Sequence, residues 1–339
     1  MNGMVTKASA WIMDGAMCAV MNRLQWQLRN HTCTRAEFDA YIEACRPYTA
    51  ETFYLPTRES PTGPNLAMCH RSRWPEIIAW PSPHLSGYPE NDTARALFFS
   101  ADGDWSRPTV IVLHALMSAS DLGYRKLARA INQRGWNAVL PHLPFHYSRV
   151  PRGFKQGSLA ISSNLPRNAE SLRQGVTEIR QIMACLRAAG ADRFGLLGTS
   201  YGGWTAALAA PLETDIHFVA LIQPIVDLEH VIWESPVAAE LRRAIQSRGI
   251  QRGESADHSH LSSPLHTKAP SAPHRLIVAG EFDSISPIGP LRELQRRWGA
   301  TDLVSVRQGH FGYRALESAK DWMMPLLTAA DQRPTMVNE

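Results

Sequence analysis

The chain has 339 residues, of which 44% are hydrophobic, enough for one large α/β domain with an extension and unlike a disordered chain. Its 35 basic and 31 acidic residues leave a net charge of only +4, with no run of Lys or Arg, so nucleic acid is not an expected partner. The five cysteines, Cys18, Cys33, Cys45, Cys69 and Cys185, include no C-x-x-C pair, which points to reduced thiols, no structural metal and a cytoplasmic location.

Residues 1 to about 50 read as helical. Trp11, Met17, Val20, Met21, Leu24 and Leu28 recur at helical spacing and predict one packing face. The same stretch makes no signal peptide, because Asp14 interrupts it and no basic segment or cleavage site frames it. Nothing approaches the roughly 20 apolar residues of a membrane span. Thr34-Arg35-Ala36-Glu37 resembles a capping box that opens a second helix through Cys45, stopped by Pro47. Residues 55–72, rich in Pro, Thr, Ser and Gly, read as a linker. Trp74 to Trp80 and Thr93 to Ser100 predict two strands of an antiparallel edge.

From residue 108 strands and helices alternate, as in a parallel sheet with crossover helices. Thr109 to Leu113 and Trp136 to Leu140 read as strands, with a helix near 121–134 between them. A longer helix near 167–189 repeats Leu172, Val176, Ile179, Met183 and Leu186. The loop between them holds His142, His146, Arg149 and Arg152. Its prolines favour a rigid structural loop, with His146 as a candidate pocket residue and the arginines as candidate partners of a substrate carboxylate or phosphate.

Phe194 to Leu197 then reads as a buried strand that runs into Gly198-Thr199-Ser200-Tyr201-Gly202 and the small-residue helix Gly203 to Ala210. A G-x-S-x-G turn between strand and helix holds its serine at a strained apex, exposed at the carboxyl edge of a sheet. A serine hydroxyl is a poor nucleophile unless a base reaches it and a third group orients that base. The turn therefore predicts an acid and a histidine later in the chain, each just after a strand. Asp283 follows the strand 275–279 in Gly280-Glu281-Phe282-Asp283, and His310 follows the strand 302–306 in Gly309-His310. Asp227, after the strand 217–222, and Glu281 are rival acids. Residues 228–272 break the alternation and read as an inserted cap, in which His258 and His260 sit in a polar loop, read as solvated. Helices near 287–298 and 312–328 complete the pattern.

On these motifs, together with the turn His114-Ala115-Leu116-Met117 after the first parallel strand, the chain resembles the α/β-hydrolase fold superfamily, in its esterase, lipase, dienelactone-hydrolase and serine-peptidase branch. The resemblance covers about residues 74–330. It implies a mostly parallel sheet with helices on both faces, a nucleophile at Ser200, a base at His310 and an acid at Asp283. It also implies an oxyanion hole from the N–H groups of Leu116 and Tyr201. The family's usual His-Gly is His114-Ala115 here, which leaves Met117 as the alternative donor. Trp233, Phe311 and Tyr313 are candidate pocket walls.

The expected organisation is an N-terminal helical extension and linker (1–72), a hydrolase domain (73–330) with the cap at 228–272, and a tail (331–339). The expected activity is hydrolysis of a small-molecule ester, with no cofactor. An acyltransferase or peptidase on the same three residues is the first alternative, and a binding protein that retains the fold without turnover is the second. The N-terminal helices have three open uses: cover of the sheet, lid over the site, or homodimer contact.

Overall fold

A computed structural model describes residues 6–55, 63–66, 75–254 and 258–329. Trp74, Cys69, most of the expected linker and the tail at 331–339 lie outside the described residues. Eight strands form one sheet: β1 (Glu76–Pro81), β2 (Thr93–Phe99), β3 (Thr109–Leu113), β4 (Asn137–His142), β5 (Phe194–Thr199), β6 (Ile216–Ile222), β7 (His274–Gly280) and β8 (Asp302–Val306). Their order is β1-β2-β4-β3-β5-β6-β7-β8. β2 pairs antiparallel with both β1 and β4, and every pairing from β4 onward is parallel. This is the mostly parallel sheet with helices on both faces that the alternating pattern predicts.

Side chains alternate across the sheet and make two cores. On one face Val110, Val112, Leu140, Phe218 and Val278 pack against α4 (Leu122–Asn132) and α11 (Arg314–Ala329). On the other, Ile111, Leu113, Val139, Leu196 and Ile277 pack against α5 (Leu165–Ala188), α6 (Tyr201–Ala209) and α10 (Ile288–Trp298). α6 sits deepest, with every residue buried.

Three short α-helices lie in the segment 228–272: α7 (Leu228–Trp233), α8 (Ala239–Gln246) and α9 (Ser259–Ser262). They do not pack alone. Ile232, Leu241, Ile245 and Ile250 share a separate cluster with Cys33 and with Phe38 of α2 (Arg35–Cys45). The capping box of α2 is present, with Thr34 Oγ1 accepting the Glu37 N–H and Glu37 Oε2 accepting the Thr34 N–H. A further short helix, α3 (Ala50–Phe53), follows it.

The first helix, α1 (Lys7–Gln27), turns the expected face inward only in its C-terminal half, where Leu28 is buried and Met21 and Leu24 are half-buried. Trp11, Met17 and Val20 are exposed, whereas Ala10, Asp14, Cys18 and Gln25 are buried. The reason is partly polar. Asp14, Asn22 and Gln25 all bond groups outside the helix, so hydrogen bonds help select the face that docks.

A second polar assembly takes up Arg149, a candidate ligand contact in the sequence. Its guanidinium is fully buried and forks onto Glu178 of α5, Nη1 to Oε2 at 2.5 Å and Nη2 to Oε1 at 2.8 Å. It also donates to the carbonyls of Asn91 and His142. Ser82 Oγ donates to Glu178 and Gln174 Nε2 donates to Ser82 Oγ, so this cluster stitches the β1–β2 turn and the loop after β4 to α5. Arg149→Ala leaves Glu178 buried without its cation. It should lower unfolding free energy by roughly 3–5 kcal/mol in a urea titration, whereas replacing the exposed Arg152 should leave the midpoint nearly unchanged.

Candidate active site

Parallel register brings the carboxyl ends of β3, β5, β6, β7 and β8 to one rim. Ser200 stands where β5 turns into α6, with φ 52° and ψ −111°. For a residue with a Cβ this left-handed conformation is strained, at a cost of about 1–3 kcal/mol. Neighbours hold it there: the Ser200 N–H donates to Ile222 O of β6 at 2.8 Å, and the Trp204 N–H donates to Ser200 O at 2.9 Å. A Cβ on Gly202 would run into the backbone carbonyls of Leu113 and His114, and one on Gly198 into Gly202. Only glycines at both positions let helix, turn and adjacent strand approach this closely.

The three candidate residues meet at this rim. Ser200 Oγ lies 2.9 Å from His310 Nε2, and His310 Nδ1 lies 2.8 Å from Asp283 Oδ2. The imidazole and the carboxylate are almost wholly buried, at 6% and 0% side-chain exposure. Asp283 Oδ1 accepts the N–H groups of Ile285 and Ser286, both at 2.8 Å, which hold the carboxylate rigid. Burial pushes the His310 pKa down, but the Asp283 charge and hydrogen bond, with Asp14 behind them, raise it above its ordinary value. The rivals stand elsewhere. Asp227 caps α7 by accepting the His230 N–H at 3.0 Å, and Glu281 pairs with Arg307 at 3.9 Å.

Three side chains with no signal in the sequence complete the arrangement. Gln223, after β6, takes a positive φ of 46° and is buried. Its Nε2 donates to Asp283 Oδ2 at 2.6 Å and to Gly309 O at 2.8 Å. Gln308 Nε2 donates to Gln223 Oε1 at 2.8 Å. Asp14 of α1 accepts the His310 N–H at 2.9 Å and the Phe311 N–H at 3.3 Å. A lone glutamine or aspartate in a sequence carries no mark of such distant partners.

The turn after β3 is held by neutral histidines. His114 Nε2 accepts the Leu143 N–H at 3.1 Å, which puts its proton on Nδ1, against Ala115 O. His146 Nε2 accepts the Met117 N–H at 3.1 Å, so its Nδ1–H faces Pro144 O. The Ala115 N–H donates to Tyr124 Oη at 3.0 Å. Burial holds His114 well below the ordinary imidazole pKa and His146 at about 4. The Met117 N–H is thus already engaged, while the Tyr201 N–H opens α6 without an intrahelical acceptor and Leu116 lies beside it on the cavity wall.

A cavity of about 430 Å³ opens on Ser200 and His310. Its wall includes Met21, Phe38, Leu172, Trp204, Val231 and Leu241. Leu116, Tyr201, Phe311 and Tyr313 also reach it; Met117, His146 and Trp233 do not. His146 is consumed in the turn, and on α7 it is Leu228, Val231 and Ile232 that line the space. His258, read as solvated, is buried on Tyr41 with ring centroids 5.5 Å apart. Among the described residues no group of His, Cys, Asp and Glu is arranged to hold a metal ion, and no helix is long and apolar enough to cross a membrane.

The architecture is the α/β-hydrolase fold, and solved structures share it. An acetyl xylan esterase from Paenibacillus sp. R4 superposes with a TM-score of 0.58 at 16% identity, covering 89% of this chain and 98% of its own. Acetyl xylan esterase 1 from Thermoanaerobacterium sp. JW/SL YS485 gives 0.56 at 15%, with 89% and 98% covered. A putative hydrolase from Agrobacterium vitis S4 gives 0.54 at 17%, with 76% and 99% covered. In sequence the chain is 27% identical over 214 residues to the uncharacterized proteins Rv2627c and MT2702 of two Mycobacterium tuberculosis strains. That match takes in 61% of this chain and spans about half of their length, 50%. No family model matches the chain.

The neutral histidines make stability depend on pH. His84, His142, His146 and His258 are each lowered to about 4 by burial, and His114 is held well below its ordinary value. Between their unfolded value of about 6.5 and about 4, the unfolded chain binds protons that the folded chain refuses, so stability falls as pH falls. His310 and Asp14 are raised and act in the opposite sense, but they are outnumbered. The urea midpoint should therefore be lower at pH 5 than at pH 7. An equal or higher midpoint at pH 5 would contradict the neutral assignment.

Proposed function

We propose that the chain is a serine hydrolase that cleaves a carboxylic ester through an acyl-enzyme intermediate. The observation that carries this reading is the unbroken relay from Ser200 Oγ through the imidazole of His310 to Asp283. His310 Nε2 takes the hydroxyl proton as Ser200 Oγ attacks the acyl carbon, and the carbonyl electron pair moves onto oxygen. Asp283 accepts the Nδ1–H, fixes the tautomer and stabilises the imidazolium. The N–H groups of Tyr201 and Leu116 receive the oxyanion; one such donor is worth about 3–4 kcal/mol of barrier. Collapse of the intermediate expels the alcohol, which takes the proton from His310. Water repeats the sequence on the acyl-enzyme and restores Ser200. Two fold neighbours bear the name of esterases, in keeping with this chemistry.

The cavity supports a substrate with an apolar acyl or alcohol part larger than acetyl. Aliphatic and aromatic side chains from the N-terminal helices, α5 and the cap make up most of its lining. In this reading residues 228–272, with α1 and α2, form the cover that sets chain-length preference.

Ser200→Ala should cut ester turnover on the order of a millionfold with an unchanged circular-dichroism spectrum. Asp283→Asn, which favours the wrong tautomer, should cost roughly ten-thousandfold. A fluorophosphonate probe should label Ser200; a purified, folded chain in which no serine reacts would sink the reading. On p-nitrophenyl esters of increasing length, kcat/KM should rise from acetyl to medium-chain acyl groups, and a maximum at acetyl would exclude the cavity as the acyl site.

A further inference from the structure

Helix α1 carries a single acid, Asp14, and turns it inward to 2% exposure. Burying a carboxylate costs several kcal/mol unless charge and hydrogen bonds offset it. An apolar side chain at position 14 would have docked the helix more cheaply. What the carboxylate does there is specific: Oδ2 takes the His310 N–H and Oδ1 the Phe311 N–H, two consecutive peptides of the loop that carries the imidazole. The approach also depends on residue 309. A Cβ there would stand 2.5 Å from Asp14 Oδ1 and 2.6 Å from Oδ2, so glycine is what admits the carboxylate.

The same helix is clamped over the cavity at two further points. Asn22 Nδ2 donates to Pro236 O at 2.8 Å and Asn22 Oδ1 accepts the Glu240 N–H at 2.9 Å. Gln25 Nε2 donates to Ile161 O at 2.5 Å. Met21 and Gln25 themselves line the cavity. One helix therefore both walls the cavity and grips the backbone of the residue facing Ser200.

On the hydrolase reading given above, we propose that Asp14 is a positioning residue for His310: α1, in docking over the cavity, supplies the carboxylate that fixes the 310–311 backbone and with it the reach of the imidazole to Ser200. A base on a loop without regular structure has to be held within a fraction of an ångström of its nucleophile. Asp283 fixes the ring from its Nδ1 side, and Asp14 fixes the peptide to which the ring is attached. Loss of α1 would disorder the base as well as uncover the cavity.

The charges that face His310 are Asp283, from the loop after β7, and Asp14, from α1. Cys18, one turn along α1, is held as a neutral thiol by burial, which pushes it up to about 11. Gln223 and Gln308 are uncharged. Removing the Asp14 anion therefore lowers the proton affinity of His310 and moves the acidic limb of its reactivity to lower pH.

The test is the rate at which a fluorophosphonate labels Ser200 in the full chain from pH 5 to 9, for wild type, Asp14→Ala, Asp14→Asn, Gly309→Ala and the Asp14→Ala/Gly309→Ala double variant, with thermal melts for each. Asp14→Ala should slow labelling roughly tenfold or more at neutral pH. Asp14→Asn, which retains one acceptor oxygen, should slow it less while moving the acidic limb downward. Gly309→Ala should be slow alone and add little to Asp14→Ala. With a cavity-filling ester, kcat should fall more than KM rises. If Asp14→Ala does not fold, Asp14→Asn and Gly309→Ala decide the matter. Wild-type rates and an unmoved pH midpoint in folded Asp14→Asn, with a wild-type rate in Gly309→Ala, overturn the proposal. A wild-type chain that is itself unlabelled removes the hydrolase reading instead, and this inference with it.

Discussion

The loop after β8 has to present an imidazole to a hydroxyl carried by another strand, and it has no ladder or helix of its own to hold it. Everything at the rim depends on how that loop is fixed. It is fixed by side chains that accept or donate where backbone partners are missing. Gln223 holds Gly309 O, Gln308 holds Gln223, and Asp14 takes the next two N–H groups. These bonds are buried, where an unmade hydrogen bond costs more than a made one gains. The network is therefore close to all-or-none, which is a sound way to make a loop behave as rigid structure.

Ser200 is fixed by the opposite means. Its conformation is unfavourable in itself, and the surroundings over-determine it. β5 is paired on both sides, α6 is wholly buried, and glycines at 198 and 202 remove the atoms that would push the turn apart. The serine end of the relay rests on packing and the imidazole end on hydrogen bonds. Substitutions at the two ends should accordingly fail differently: packing errors at the elbow strain the sheet, whereas lost bonds at the loop release only the base.

That contrast explains what could be read in advance. The elbow was legible because packing of that kind leaves a dense local pattern, two glycines within five residues between an apolar run and a small-residue helix. Asp283 and His310 were legible because strand ends in a parallel sheet share an edge, so each could be sought after its own strand. The strands and the helices flanking them emerged within a few residues of where periodicity predicted them. Gln223, Gln308 and Asp14 were not legible, since each bonds to a segment far away in the chain and obeys no spacing rule. The inward face of α1 was misjudged in its N-terminal half, at Trp11, Met17 and Val20, for the same reason. Periodicity places the apolar residues on one side but cannot tell that three polar ones have partners elsewhere. Arg149 and His146 were candidates for ligand contact because their chemistry suits that role, although the prolines around them favoured a structural loop. Burial and the partners Glu178 and Met117 give them structural roles.

The histidines beside the proposed oxyanion hole follow the same logic of charge. Three imidazoles, His114, His142 and His146, sit close together under this rim, with His114 and His146 centroids 4.7 Å apart. Were they cations, they would draw electron density from the developing oxyanion, but they would also oppose the imidazolium that His310 becomes when it takes the serine proton. Burial keeps them neutral; Nε2 of His114 and of His146 accepts the backbone N–H of Leu143 and of Met117, and His142 Nδ1 pairs with Ser148 Oγ. The turn is thereby held without any charge that competes with the relay. Of the charged groups near the imidazole, the two that bear on it, Asp283 and Asp14, are both anions. On the proposed mechanism, the charges that bear on the ring at 310, both anionic, favour proton transfer to it from the hydroxyl at 200.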